Sequence, residues 1–331
     1  MKNSSTLGKN ILYLSRKDVE TANVPMSHIV DALLAMFKEK GEGKVEMPPK
    51  PGIHTRPDAF IHAMPAYIPS LHSAGMKWVG GYPQNQSKGL PYITGLMILN
   101  DDETGIPYCI MDCTWVTAMR TGAATAVAAK FFARPESQTV GILACGVQGK
   151  SNLEALSCCF NIKQVYAYDN FPGKAHEYAD EMSRKLKLPI TAVDKPEKAV
   201  KDMDIVVTSG PILRNPTPVI EDSWFKPGAF ASPVDFDSYW KPEALLKADM
   251  FATDDIDQMF YYKEHGYFKH IPPREKILDL GAVAADKAPR RQNVKQRIIS
   301  INLGLALDDM ATAPLVYNAA VQKGVGTTLQ L

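Results

Sequence analysis

The run Val140-Gly141-Ile142-Leu143-Ala144-Cys145-Gly146-Val147-Gln148-Gly149 carries glycines at a spacing that can do chemistry. An apolar stretch enters a turn of the form A-x-G-x-x-G and leaves it as a helix. In such a turn the backbone at Gly146, Val147 and Gln148 approaches a pyrophosphate, and the helix dipole faces that anion. Gly149 lets the helix lie close to the strand. Ala144 stands where a first glycine is usual, which is costly if the turn needs a positive φ. About 20 residues further on, the run Val165-Tyr166-Ala167-Tyr168 ends in Asp169, where a carboxylate accepts hydrogen bonds from ribose hydroxyls and repels a 2′-phosphate. The pair reads as a dinucleotide site that prefers NAD(H) over NADP(H). Lys150 offers an opposing positive charge, and an ordinary α/β turn with a strand-end aspartate is the plainer alternative. Thr208-Ser209-Gly210 closes a later strand at the edge where open α/β sheets bind ligands, so Thr208 and Ser209 are expected to line the cofactor.

Other chemistry is not encoded by spacing. The five cysteines (Cys109, Cys113, Cys145, Cys158, Cys159) form no paired-ligand pattern, and the seven histidines show no helical ligand spacing. No metal is expected, and the cysteines read as buried, reduced thiols.

These residues need a scaffold. A strand at Ile11–Leu14 and a helix through Ser27–Lys40 precede a proline- and lysine-rich segment, 41–57. Strand-like runs follow at Ala59–Met64, Gly75–Val79, Tyr92–Asn100 and Pro107–Asp112, which read as an antiparallel sheet with a helix. An alanine-rich helix, Thr117–Ala133, leads into alternation: strand Thr139–Leu143, helix Gly149–Phe160, strand Gln164–Tyr168, helix Gly173–Leu186, then strands Ile190–Val193, Asp204–Ser209, Ala229–Pro233 and Met250–Ala252. That order argues for a parallel sheet. Ile298–Ala320 reads as a long apolar helix returning to the first domain. The expected fold is α/β: a Rossmann-type domain, 117–298, inserted in a discontinuous α+β domain, 1–116 with 299–331.

With 331 residues, 37 Lys plus Arg and 36 Asp plus Glu, the formal charge is +1, which leaves no electrostatic footprint for nucleic acid or an anionic membrane. Met1–Asn10 is polar, and the longest apolar stretch, Ala123–Ala133, is interrupted by Lys130. A cytoplasmic protein is expected. The run Arg290-Arg291 to Arg297 reads as a solvated face, and Phe260-Tyr261-Tyr262 with Tyr267-Phe268 as packing.

Several strings in order resemble the ornithine cyclodeaminase/mu-crystallin family, which includes ketimine reductases and archaeal-type alanine dehydrogenases. They are Met47-Pro48-Pro49-Lys50, Met64-Pro65-Ala66-Tyr67, Gly75-Met76-Lys77-Trp78-Val79, Gly89-Leu90-Pro91, Thr117-Ala118-Met119-Arg120-Thr121-Gly122-Ala123-Ala124, the glycine turn, and Gly304-Leu305-Ala306-Leu307-Asp308-Asp309. The resemblance implies that Arg120 binds a substrate α-carboxylate, that Lys77 contacts the carboxylate or the carbonyl oxygen near the reacting carbon and is catalytic with Asp235, and that Asp235 moves a proton. Thr121, Asn302 and Gly304 are placed toward the cofactor. Lys50 stands where many members have arginine, keeping the charge but losing the bidentate fork. The segment Pro233-Val234-Asp235-Phe236-Asp237 departs from a glycine-rich pattern, so Asp237 competes with Asp235. Trp78 and Tyr82 are candidates for a substrate wall.

The resemblance implies an NAD(H)-dependent imine reductase or amino-acid dehydrogenase for a small α-imino, α-keto or α-amino acid, working as a homodimer paired through the first domain. A cyclodeaminase that recycles NAD and releases ammonia is the second reading. It is disfavoured because Asp58 is the only carboxylate in Asp58–Ala63 to grip a distal amine. A non-enzymatic nucleotide or ligand carrier is the third.

Overall fold

The computed structural model describes residues 7–56 and 59–331, apart from the side chain of Gln86. Asp58 lies outside the described residues. The chain divides into two compact units, residues 1–120 with 305–331, and residues 121–304.

The first unit is built on a seven-stranded sheet. Its order is Thr327–Gln330, Asn10–Leu14, Pro107–Asp112, Ile93–Asn100, Ser73–Gly81, Phe60–Ile68 and Gly52–Ile53. The sheet is mixed rather than antiparallel, because Asn10–Leu14 runs parallel to Pro107–Asp112. Strand alternation divides its two faces. One cross-strand row, Met64, Lys77, Met97, Met111 and Leu14, is buried throughout, and Lys77 is its one charged member. The opposite face carries the rows Pro65, Met76, Ile98, Ile110 and Ala63, Trp78, Leu96, Asp112, with Trp78 and Leu96 both 43% exposed. Helix Met26–Glu42 buries Ile29, Leu33, Met36 and Phe37 at helical spacing and stops at Gly43, whose φ of 75° suits a residue without a side chain. Helix Ala306–Lys323 packs on the buried sheet face, where Ser73 Oγ donates to the Met310 carbonyl at 2.6 Å.

The second unit is an eight-stranded, all-parallel sheet ordered Ile277–Asp279, Met250–Thr253, Ile298–Ile301, Phe230–Pro233, Ile205–Thr208, Thr139–Leu143, Gln164–Tyr168 and Ile190–Ala192. Strand order reverses at Thr139–Leu143, so the switch point, where a crevice opens beyond the strand carboxyl ends, falls between it and Ile205–Thr208. The fold is the expected α/β class with a Rossmann-type sheet. The reading of Ile298–Ala320 as one helix is corrected: Ile298–Ile301 is an inner strand, and the helix begins at Ala306. A wholly buried parallel strand is a continuous apolar run, which periodicity cannot tell from a buried helix.

Two other expectations change. Arg291 is not a solvated residue: its guanidinium donates to the carbonyls of Phe132, Asn293, Gln296 and Ala229. Arg297 likewise pairs with Asp222 and bonds the Lys247 carbonyl. Of the cysteines, Cys109, Cys113 and Cys145 are buried, but Cys158 is exposed and Cys159 half-buried, because they end a surface helix. No helix among the described residues is long and apolar enough to cross a membrane.

Candidate active site

In the second unit the turn after Thr139–Leu143 adopts the geometry its sequence implies. Ala144 has a φ of 71°, a left-handed conformation that costs a non-glycine residue about 1–2 kcal/mol. The two glycines after it are explained differently. A Cβ on Gly149 would lie 2.6 Å from the Ala144 carbonyl oxygen, so close helix–strand packing requires glycine there. A Cβ on Gly146 would meet nothing within 4 Å, and its φ of −81° is open to any residue. Nothing inside the protein demands Gly146, whereas a ligand seated on the turn would. Helix Val147–Cys159 has no side-chain cap at its N-terminus, so its first N–H groups remain available to an anion. The residues therefore fit a dinucleotide pyrophosphate.

Asp169 sits beside this turn. Its Oδ2 accepts from Cys145 N at 2.8 Å and its Oδ1 from Phe171 N at 2.8 Å. It borders a cavity of about 290 Å³ that also touches Tyr168, Asn170, Phe171, His176 and Val193, where the sugar end of a nucleotide would lie. Ser209 Oγ donates to the Ala144 carbonyl at 2.9 Å, tying the neighbouring strand end to the turn. Gln148 caps inward: its carbonyl accepts from Asn152 Nδ2 at 2.8 Å. Lys150 pairs with Glu181 at 2.5 Å.

Thr208, expected to line the cofactor, is turned into the interior. It is fully buried, accepts from Trp240 Nε1 at 3.1 Å, and donates to Asp235 Oδ1 at 2.6 Å. Asp235 Oδ2 accepts from Gly210 N at 2.8 Å. Burial drives the Asp235 carboxyl up to about 7, against the opposing pull of the Thr208 and Gly210 donors, with Asp237 adding to the rise. Next to it, Phe236 holds a φ of 64°, and its ring packs on Phe268 and Tyr262 at centroid distances of 4.4 and 5.3 Å. Strain of this kind persists where the surroundings over-determine it. The aromatic cluster is thus packing that fixes the turn presenting Asp235. Asp237 accepts backbone hydrogen bonds from Phe268 and Lys269, a role in holding that loop.

Asn302 and Gly304 lie where the last strand of this unit ends. Asp254, fully buried, receives Leu303 N at 2.9 Å and Gly304 N at 2.8 Å. Asn302 is buried, with its Nδ2 unpaired. Thr121, also buried, opens this unit on the alanine-rich helix Thr114–Phe132.

The first unit holds a quartet of buried charges. Lys77 Nζ lies 2.6 Å from Asp309 Oδ2, with 1% and 0% of the two side chains exposed. Arg120 reaches Asp309 Oδ1 at 3.3 Å and Asp308 Oδ2 at 3.4 Å. Burial pulls the Lys77 ammonium below its ordinary range and Asp309 opposes it. Asp308 also accepts Leu305 N at 2.9 Å, which fixes the helix start. His62 shares this face of the sheet, paired with Val79, and stacks on Phe60 at 4.3 Å. Burial lowers its imidazole to about 4, helped by the positive charges of Lys50, His54 and Lys77. Lys50 is half-buried in the segment before Pro51. Trp78 and Tyr82 fall apart from Lys77: Trp78 faces the exposed side, and Tyr82 bonds Thr55 at 2.7 Å.

Asp308, Asp309, His62 and Trp240 were not singled out from the sequence as site residues. The adjacent pair Asp308-Asp309 in an otherwise apolar helical run is the signal the sequence offers for the two acids. No group of three or more metal-ligating side chains occurs among the described residues.

Residues 10–324 match the ornithine cyclodeaminase/mu-crystallin family. A nodulation efficiency protein of Rhizobium meliloti is 34% identical over 96% of this chain and 98% of its own. The solved Δ(1)-pyrroline-2-carboxylate reductase of Thermococcus litoralis, in complex with NADH and L-proline, is 31% identical with a TM-score of 0.86, over 96% of this chain and 99% of that one. An archaeal alanine dehydrogenase dimer with bound NAD is 30% identical with a TM-score of 0.85, over 97% and 99%.

Proposed function

The chain belongs to the ornithine cyclodeaminase/mu-crystallin family, and from that premise we propose that it is an NAD(H)-dependent dehydrogenase or reductase of small α-amino, α-imino or α-keto acids. One observation carries the reading: Lys77, 1% exposed in a row otherwise of methionine and leucine, with Arg120 and two buried aspartates around it. Replacing such charges by apolar residues is often neutral or stabilising, so a fold gains little by burying them. A carboxylate-binding enzyme gains a dry, oriented cationic anchor.

In the reductive direction Arg120, Lys77 and Lys50 hold the substrate carboxylate. The quartet of Lys77, Arg120, Asp308 and Asp309 sums to zero charge, which gives Lys50 a reason to contribute a third cation. The glycine turn would hold NAD(H), which when bound would supply hydride-transfer chemistry for the imine carbon. As that carbon is reduced the C=N π electrons pass to nitrogen, and Asp235 delivers the proton that nitrogen takes up; oxidation runs the same transfers backwards. Asp169 favours NAD(H) over NADP(H) by charge. Asp235 rather than Asp237 carries the proton because Asp237 is engaged by the 268–269 backbone. The exposed apolar rows of the first sheet favour a homodimer paired through that face, as the alanine dehydrogenase relative is a dimer.

The cyclodeaminase reading needs a carboxylate to grip a distal ammonium, and the two acids beside Lys77, Asp308 and Asp309, are already paired with Arg120 and Lys77. Absorbance at 340 nm with NADH or NADPH, a panel of keto acids with ammonia or methylamine, and cyclic imino acids tests the proposal. NADH consumption with one acid, and weaker use of NADPH, is expected. Ammonia release from L-ornithine with no net NADH change would replace it by the cyclodeaminase, and tight nucleotide binding with neither reaction by the carrier.

A further inference from the structure

We propose that Thr208 and Trp240 are positioning residues for Asp235: Trp240 fixes the direction of the Thr208 hydroxyl, which holds Asp235 Oδ1 as an acceptor and favours the carboxylate form. The inference rests on Asp235 as the proton carrier and goes further by assigning the residues that orient and tune it.

The argument is one of hydrogen-bond direction. An indole N–H can only donate. Trp240 Nε1, 3.1 Å from Thr208 Oγ1, therefore makes that hydroxyl oxygen an acceptor. Both side chains are buried, Trp240 at 1% and Thr208 at 0% exposure, so no water competes for the contact. The single hydroxyl proton of Thr208 is then directed at its other neighbour, Asp235 Oδ1, at 2.6 Å, the length of an O–H···O⁻ bond to a charged acceptor. Turning Thr208 away would set its proton against the indole N–H instead. On the other oxygen, Gly210 N donates at 2.8 Å, so each carboxylate oxygen accepts one directed bond.

The remaining titratable groups around Asp235 do not compete for Oδ1. Asp237 acts on it through charge and is held by the backbone at 268 and 269. The Tyr239 ring lies against Gly210, and its hydroxyl receives Asn170 Nδ2 at 3.3 Å. Trp240, Thr208 and Asp235 Oδ1 thus form a directed chain of hydrogen bonds.

The test reads the carboxyl itself rather than turnover. Protein labelled with carboxyl carbon-13 aspartate is titrated by NMR, with the Asp235 signal identified by its loss in Asp235→Asn. Thr208→Val is nearly isosteric and removes one donor to the carboxylate. Its midpoint is expected about one pH unit above wild type, and the limb of the pH–rate profile moves with it. Thr208→Ser restores the hydroxyl and the wild-type midpoint. Trp240→Phe frees the Thr208 hydroxyl to turn and gives a smaller rise. A role in packing alone would lower stability in Thr208→Val and Trp240→Phe without moving the midpoint, and an unmoved midpoint in either folded variant overturns the proposal. If Thr208→Val does not fold, Trp240→Phe against Thr208→Ser decides it. Retained turnover in Asp235→Asn would instead remove the proton-transfer role, a result that the NMR midpoints keep separate from the direction of the hydrogen bonds.

Discussion

The Lys77 ammonium and the Asp309 carboxylate meet at 2.6 Å with at most 1% of either side chain exposed. Breaking one partner of such a pair strands the other. Lys77→Met fits the volume left among Met64, Met97 and Met111, yet is expected to lower unfolding stability by about 3 kcal/mol in denaturant melts. Adding Asp309→Asn should recover most of that loss. In both variants kcat/KM stays down by at least about 100-fold, because the substrate anchor is gone. Recovery of activity together with stability would make the pair structural only.

The elevated Asp235 carboxyl sets the pH behaviour. Raised to about 7, it is protonated below neutrality, so imine reduction holds its rate at acid pH and declines tenfold per unit above about 7, while oxidation shows the opposite limb. The fold is affected in the same window. The unfolded chain releases this proton near pH 4 and the folded protein only near 7, so stability decreases as pH rises between them. Asp235→Asn should lose about 100- to 10,000-fold in kcat with NADH affinity unchanged.

Gly146 and Gly149 separate ligand from packing. Gly146→Ala should fold with wild-type stability, since its Cβ meets no atom within 4 Å, but bind NADH at least about tenfold more weakly by calorimetry. Gly149→Ala should destabilise the unit, its Cβ falling 2.6 Å from a carbonyl oxygen. Unchanged NADH affinity in Gly146→Ala would remove the pyrophosphate from this turn.

The exposed rows of the first sheet are expected to pair two chains. Leu96→Glu with Ile98→Lys should convert a dimer to monomers in light scattering while the circular dichroism spectrum is kept. A wild-type chain that scatters as a monomer at all concentrations would place this face elsewhere.

What the sequence made legible followed from local rules. The glycine turn, the parallel alternation and the apolar helix faces depend on neighbours within a few residues, and the α/β fold with its Rossmann-type sheet follows from them. Ile298–Ile301 was read as helix because a strand buried on both faces loses its alternation. The partners of each charge were less accessible. Nothing near Lys77 in the chain points to Asp309, and nothing near Thr208 points to Trp240 or to a hydroxyl turned toward Asp235. Arg291 and Arg297 looked like surface charge because their carbonyl partners come from distant strands and loops. What sets Asp237 apart from Asp235, the backbone bonds it accepts from Phe268 and Lys269, comes from residues distant in the chain.

The strand Ser73–Gly81 places Met76 and Trp78 on one face of its sheet and Lys77 on the other. A frame error of a single residue in pairing would exchange them, sending an indole into the charged interior and the ammonium out among apolar side chains. Chemistry and surface are therefore inherited together from one alignment of backbone, secured by nine paired residues with Phe60–Ile68 on one flank and by Ile93–Asn100 on the other. A one-residue deletion within this strand would cost the protein its anchor and its apolar face at once, even where the sheet itself still formed.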